Sequence, residues 1–251
     1  LSEYAYTYDS PFDIKGYLSR YWELAVGGIM YYAATWVDKL MMWFAPESWI
    51  LENGMRMYPD YDSATFLAYL TIIPAMAVFM FSIETNFFER YQRFYDGILE
   101  HKPLRKIKEY QQAVIDSISS SARNFIIVQG TVAFLCIVLA PKIFELININ
   151  FTQIGMFRMS VLGAFFHILL LFQMIILSYF DNRKLVMMLG IAYLVLNTVL
   201  TLWTLELGFQ YYGFGYFLSS MIIFAITCII LFRYIKRLPY HAFITSNDSV
   251  N

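Results

Sequence analysis

Six stretches of this chain are apolar for about the length that crosses a lipid bilayer, and nothing else in the sequence constrains its fold as much. A transmembrane helix needs about 20 mostly apolar residues. The stretches are residues 22–44, 64–83, 124–140, 157–180, 185–205 and 216–232. Asp38 and Lys39 interrupt the first, Pro74 lies within the second, and Pro141 is expected to stop the third. A helix of a soluble protein carries an apolar stripe opposite a charged face. The last three stretches are instead apolar all round, with Arg158 as their only charge. Of the 251 residues 59% are hydrophobic and 15% charged, where a soluble domain carries about a quarter charged residues. The sequence predicts an all-α protein, a polytopic transmembrane helix bundle of about six spans.

The basic residues set the orientation. Loops rich in Lys and Arg stay on the cytoplasmic side. Lys15 and Arg20 precede the first stretch. Arg90, Arg93, Lys102, Arg105, Lys106, Lys108 and Arg123 follow the second, Arg183 and Lys184 follow the fourth, and Arg233, Lys236 and Arg237 follow the sixth. The alternate loops hold only Arg56 and Lys142. This alternation predicts a multi-pass protein of the cytoplasmic membrane with both ends of the chain inside. Residues 1–21 form a cytoplasmic segment, 22–232 the bundle, and 233–251 a cytoplasmic tail. The first twenty residues lack a basic start, an apolar run and a cleavage site, so no signal peptide is read there.

The longest cytoplasmic stretch, 84–123, is an amphipathic insert. Phe87, Tyr91, Phe94 and Ile98 recur at helical spacing. Lys102-Pro103 breaks the pattern, and a second stripe starts at Leu104. Two arrangements fit: helices lying flat on the inner membrane surface, or extensions of the second and third spans packed on each other. The first stripe is also a candidate docking face for a cytoplasmic partner, since aromatic anchors dominate interfaces.

Signals of catalysis are nearly absent. The chain has no GxxxxGK[ST], HExxH, CxxC or GxSxG motif. Its three histidines, His101, His167 and His241, form no metal-ligand spacing, and Cys136 and Cys228 read as small apolar residues. No metal, cofactor or nucleic acid is expected, and no enzymatic activity.

Asp38-Lys39 is the clear anomaly, because ionisable groups inside a span are expensive and face the bundle interior or a water-filled cavity. Neighbours on a helix point about 100° apart, so the two need not pair. Lys39 could also snorkel to the outer interface. Asp38, Lys39, Arg158, Gln173 and Asn197 are the candidates for lining a substrate pathway. The plain alternative for Arg158, Gln173, Asn197 and Gln129 is a satisfied contact between helices. Pro74 is a helix-kink candidate. The outer loop carries Glu47, Glu52, Asp60 and Asp62 against Arg56, which reads either as a solvated loop that obeys the topology rule or as an exit surface that favours a cationic substrate.

Several stretches resemble the PelG family, the membrane subunit of Pel exopolysaccharide export. They are Arg20-Tyr21-Trp22-Glu23-Leu24-Ala25 with Trp36-Val37-Asp38-Lys39, Phe66-Leu67-Ala68-Tyr69-Leu70-Thr71-Ile72-Ile73-Pro74, Phe180-Asp181-Asn182-Arg183-Lys184, and Tyr212-Gly213-Phe214-Gly215-Tyr216. The resemblance implies the C-terminal lobe of a twelve-helix, flippase-type transporter that works by alternating access. It implies as substrate a polysaccharide, a partly deacetylated and so partly cationic amino-sugar polymer. It also implies partners: a cytoplasmic glycosyltransferase and the membrane subunits of a Pel-like complex. The resemblance assigns no substrate-binding residues. Two other functions compete with export: a non-transporting scaffold of the synthase, and a membrane-embedded transferase. The latter would need carboxylates clustered at one membrane face, and the acids here are scattered.

Overall fold

The structure, a computed structural model, describes residues 14–82 and 86–238. Most of the expected N-terminal segment, the start of the 84–123 insert, and the tail from residue 239 lie outside the described residues. The fold is helical, with one short hairpin. Helix α1 is Ile14–Met42. Strands β1 (Trp49–Ile50) and β2 (Arg56–Met57) pair antiparallel around a turn in which Gly54 has φ 81°. Helices α2 (Pro59–Leu70) and α3 (Ile73–Ser82) follow, then α4 (Phe88–Leu99) and α5 (Leu104–Leu146). The chain continues through α6 (Ile154–Tyr179), α7 (Arg183–Leu207) and α8 (Phe214–Lys236).

Three boundaries differ from the sequence expectation, each for a local reason. The stretch at 64–83 is not one helix. Pro74 has no N–H to give the carbonyl of Leu70. The chain breaks just before it, where Thr71 and Ile72 donate their N–H groups to Ala68 and Tyr69 at 3.1 and 3.0 Å. The insert and the third span are not separate units either: α5 runs unbroken for 43 residues. At 1.5 Å per residue that is about 65 Å, twice the thickness of a hydrocarbon core. The second amphipathic stripe is therefore the N-terminal half of α5, with α4 packed against it. Pro141, finally, does not end its helix. It deprives the Ile137 carbonyl of a partner, and Arg158 Nε of α6 donates to that oxygen at 3.1 Å.

Side-chain and backbone contacts fix the direction of each helix. Arg183 Nη1 donates to Arg20 O, Gly190 lies against Gly27, and Asn197 Nδ2 donates to Ala34 O. The sequence offset is constant, so α1 and α7 run parallel. A Cβ on Gly190 would stand 2.8 Å from Gly27 O, which is why the two backbones can approach so closely. By the same reasoning α6 and α8 run parallel, joined at Gly163–Tyr216 and Gln173–Cys228. Tyr61 and Tyr69 of α2 meet α1 in reverse order, so α2 descends where α1 climbs. Arg20, Arg183, Phe180 and Tyr234 thus share one end of the bundle, and Glu47 and Tyr212 the other.

Five stretches among the described residues are long and apolar enough to cross a membrane: 59–81, 104–146, 151–179, 183–207 and 209–236. The sixth expected span, α1, is 29 residues long, but Asp38, Lys39 and its aromatic residues make it less apolar. Its parallel contact with α7 is the strongest reason for reading it as a span. The central helix is α6, with α2, α3, α5, α7 and α8 as neighbours.

Candidate functional site: a buried polar core

The polar face of α1 is set by helical spacing. Thr35, Asp38 and Lys39 fall at i, i+3 and i+4 and so share one side. That side faces inward, and Asp38 is 0% and Lys39 7% exposed. The outward side carries Ile29, Tyr32, Trp36 and Leu40. The two adjacent charges do pair: Lys39 Nζ donates to Asp38 at 3.1 Å (Oδ1) and 3.3 Å (Oδ2). The flexible lysine stem curls back toward the N-terminus, so the ammonium also reaches Thr35 O at 2.8 Å, one turn earlier. It does not extend to the outer interface.

Helix α2 completes the group. Tyr61 OH donates to Asp38 Oδ2 at 2.8 Å. Tyr69 OH accepts from Lys39 Nζ at 3.0 Å and itself donates to Thr35 O at 3.3 Å. The ammonium lies 4.7 Å from the centroid of the Tyr69 ring and 5.4 Å from that of Tyr216 on α8, within the range of cation–π attraction. The carboxylate therefore accepts from two side chains, and the ammonium meets four oxygens and two rings. A buried charge pair is tolerable only when satisfied in this way.

A second layer surrounds His167 of α6. Its Nδ1 lies 2.7 Å from Tyr216 OH. The rings of Tyr31, Tyr69, Tyr193 and Tyr216 enclose it at centroid distances of 5.3 to 6.1 Å. Tyr193 OH and Ser220 Oγ are 2.9 Å apart. The core thus ties α1, α2, α6, α7 and α8 together.

The other expected residues fall outside this group. Asn197 bridges α7 to α1 through Ala34 O and accepts from Thr201 Oγ1 at 3.2 Å. Gln173 Nε2 donates to Cys228 Sγ at 2.8 Å. Arg158 is occupied at the Pro141 position. The docking stripe is also internal. Phe87 and Phe94 are buried, Phe87 against Tyr179 and Phe180, and Tyr91 OH donates to Tyr179 O at 2.7 Å. The stripe packs on the end of α6 and on α5, with Tyr91 and Ile98 half-buried. Three of the four loop acids have partners too: Asp62 accepts from Trp43, Asp60 from Gln153 and Glu47 from Tyr212.

Sequence reasoning missed Tyr61, Tyr69, His167 and Tyr216. The available signal is a lone histidine in an otherwise apolar span, and a search for metal-ligand spacing passes over it. No group of three or more His, Cys, Asp or Glu that could hold a metal occurs among the described residues.

A sealed ion pair at the centre of a membrane helix bundle is costly to keep, so the family in which it occurs bears on its use. The model of the PelG family, described as "Putative exopolysaccharide Exporter (EPS-E)", matches residues 1–243. The chain belongs to the PelG family. The family description is that of an exporter and not of an enzyme. PelG membership and the apolar helices make this a membrane protein of polysaccharide export. No curated protein and no solved structure matches the chain.

Proposed function

We propose that this chain is a transmembrane lobe of a Pel-type exporter that moves polymer across the cytoplasmic membrane. In this reading the Asp38–Lys39 core is the element that rearranges as the lobe opens. The observation that carries it is a fully satisfied ion pair sealed among five helices, in a family described as exporters. Ionisable groups at membrane depth mark substrate and ion pathways.

Removing one partner of a buried pair is strongly destabilising, whereas removing both together is often neutral. The informative variant is therefore the double one, Asp38→Asn with Lys39→Met. It should accumulate in the membrane near the wild-type level and secrete about a tenth of the polymer or less. Secretion at the wild-type level would show that the core only holds helices together. It would favour the second reading, a non-transporting scaffold of the synthase. That reading draws support from the long α5 with α4 packed against it, a suitable mount for a glycosyltransferase.

The proposed orientation puts the end holding Arg20, Arg183 and Tyr234 in the cytoplasm, a reading supported by the distribution of basic residues. A cysteine at Asn53, in the β1–β2 turn, should react with an impermeant thiol reagent added to intact cells. One at Glu100 should react only after the membrane is opened. Both sites are exposed, so the opposite pattern would invert the topology.

A further inference from the structure

The surroundings of the Lys39 ammonium are those of a cation site. Thr35 O at 2.8 Å, Tyr69 OH at 3.0 Å and the two Asp38 oxygens at 3.1 and 3.3 Å surround one nitrogen. Tyr61 OH holds the carboxylate from the far side at 2.8 Å. All the atoms that accept from the ammonium are oxygens, the ligands that hard cations prefer. Two tyrosine rings add their negative faces. An ammonium group and a potassium ion are close in size, so oxygens arranged for one suit the other.

We propose that Asp38, Thr35, Tyr61 and Tyr69 form a binding site for a small monovalent cation, and that the Lys39 ammonium is its tethered occupant in the closed bundle. Lys39 is carried on a flexible four-carbon stem, so its charge can leave while the helix stays in place. Asp38 cannot remain buried as a bare carboxylate; it needs another cation or a proton. Withdrawal of Lys39 is therefore matched by protonation of Asp38 or by entry of another cation, and the oxygens around the vacated position favour the cation. The site exchanges one positive charge for another, and its net charge is unchanged. The proposal names a ligand for the core discussed above. Its test reads binding, while the secretion test reads transport, so either can fail alone.

The full chain carrying Lys39→Ala is purified in detergent and melted in potassium chloride, ethylammonium chloride and tetramethylammonium chloride at matched ionic strength. Potassium or ethylammonium should raise the melting temperature saturably, by about 4 °C at a tenfold excess over the dissociation constant. The bulky tetramethylammonium ion, which has no N–H, should not. The rise should vanish when Asp38→Asn is added to Lys39→Ala, and should be absent from the wild type, whose site is filled. Lys39→Gln, which keeps most of the stem, is melted in parallel and decides the matter where Lys39→Ala is not recovered. Identical melting in all three salts would overturn the proposal. So would a rise that persists in the double variant.

Discussion

Lys39→Met should lower the stability of the purified protein by about 3–5 kcal/mol, the cost of leaving a buried carboxylate without its partner. For a chain of this length that is a drop in melting temperature of about 10 °C. The side chains are similar in length, so little packing is lost and the change is chiefly one of charge. Asp38 would keep only the hydroxyl of Tyr61 as a donor. The reciprocal variant, Asp38→Asn, strands an ammonium instead, with Thr35 O and Tyr69 OH still accepting from it. It should fall by a similar amount. The double variant should recover most of the loss, because the desolvation penalty of both charges goes with them. The thermodynamic cycle then gives a coupling of several kcal/mol. Two losses that simply add would mean that the charges are solvated independently, and the core would not be the sealed unit described here.

The sequence made the helices legible but not all their limits. Apolar runs located α6, α7 and α8 because these helices are apolar all round, and nothing competes with that signal. It failed at α5. The chain changes from amphipathic to apolar near Arg123, which reads as a boundary, yet the backbone has no reason to stop there. Helix geometry is indifferent to whether a turn lies in water or lipid. Pro141 misled for the opposite reason. A helix can continue past a proline where the carbonyl it orphans finds another partner. Arg158, seventeen residues later and on another helix, supplies one.

The site was half legible. Asp38 and Lys39 stand out because charge inside a span is rare. Their partners are tyrosines 23 and 30 residues away, and tyrosine in a membrane helix signals nothing by itself. His167 meets Tyr216 across 49 residues. Such groups are assembled by the parallel pairing of α6 with α8, which no local spacing encodes. One consequence is a division of labour on α1. Its inward face is polar and its outward face aromatic, so the helix is less apolar than its neighbours while Asp38 and Lys39 stay buried.

The amphipathic stripe of α4 shows what periodicity leaves undecided, namely what covers the stripe. Phe94 is 0% exposed and Gly97, on the next turn, lies against the Tyr110 ring of α5. Phe94→Ala should therefore cost about 3–5 kcal/mol of local stability, the usual range for a buried phenylalanine. Helix α4 lies at one end of the bundle, so the loss should appear as opening of α4 and not as unfolding of the whole protein. Trypsin reads this directly, because Arg90 and Arg93 lie on α4. Cleavage there should accelerate about a hundredfold or more when opening precedes cutting. Leu99→Ala, at a residue 65% exposed, should leave the rate unchanged. Were a glycosyltransferase to bind the α4–α5 projection, as proposed above for the scaffold reading, it would be lost from Phe94→Ala in parallel with this opening. If it were lost while trypsin still cut at the wild-type rate, Phe94 would have to touch the partner itself, and the packing of α4 on α5 described here would not be the state that binds.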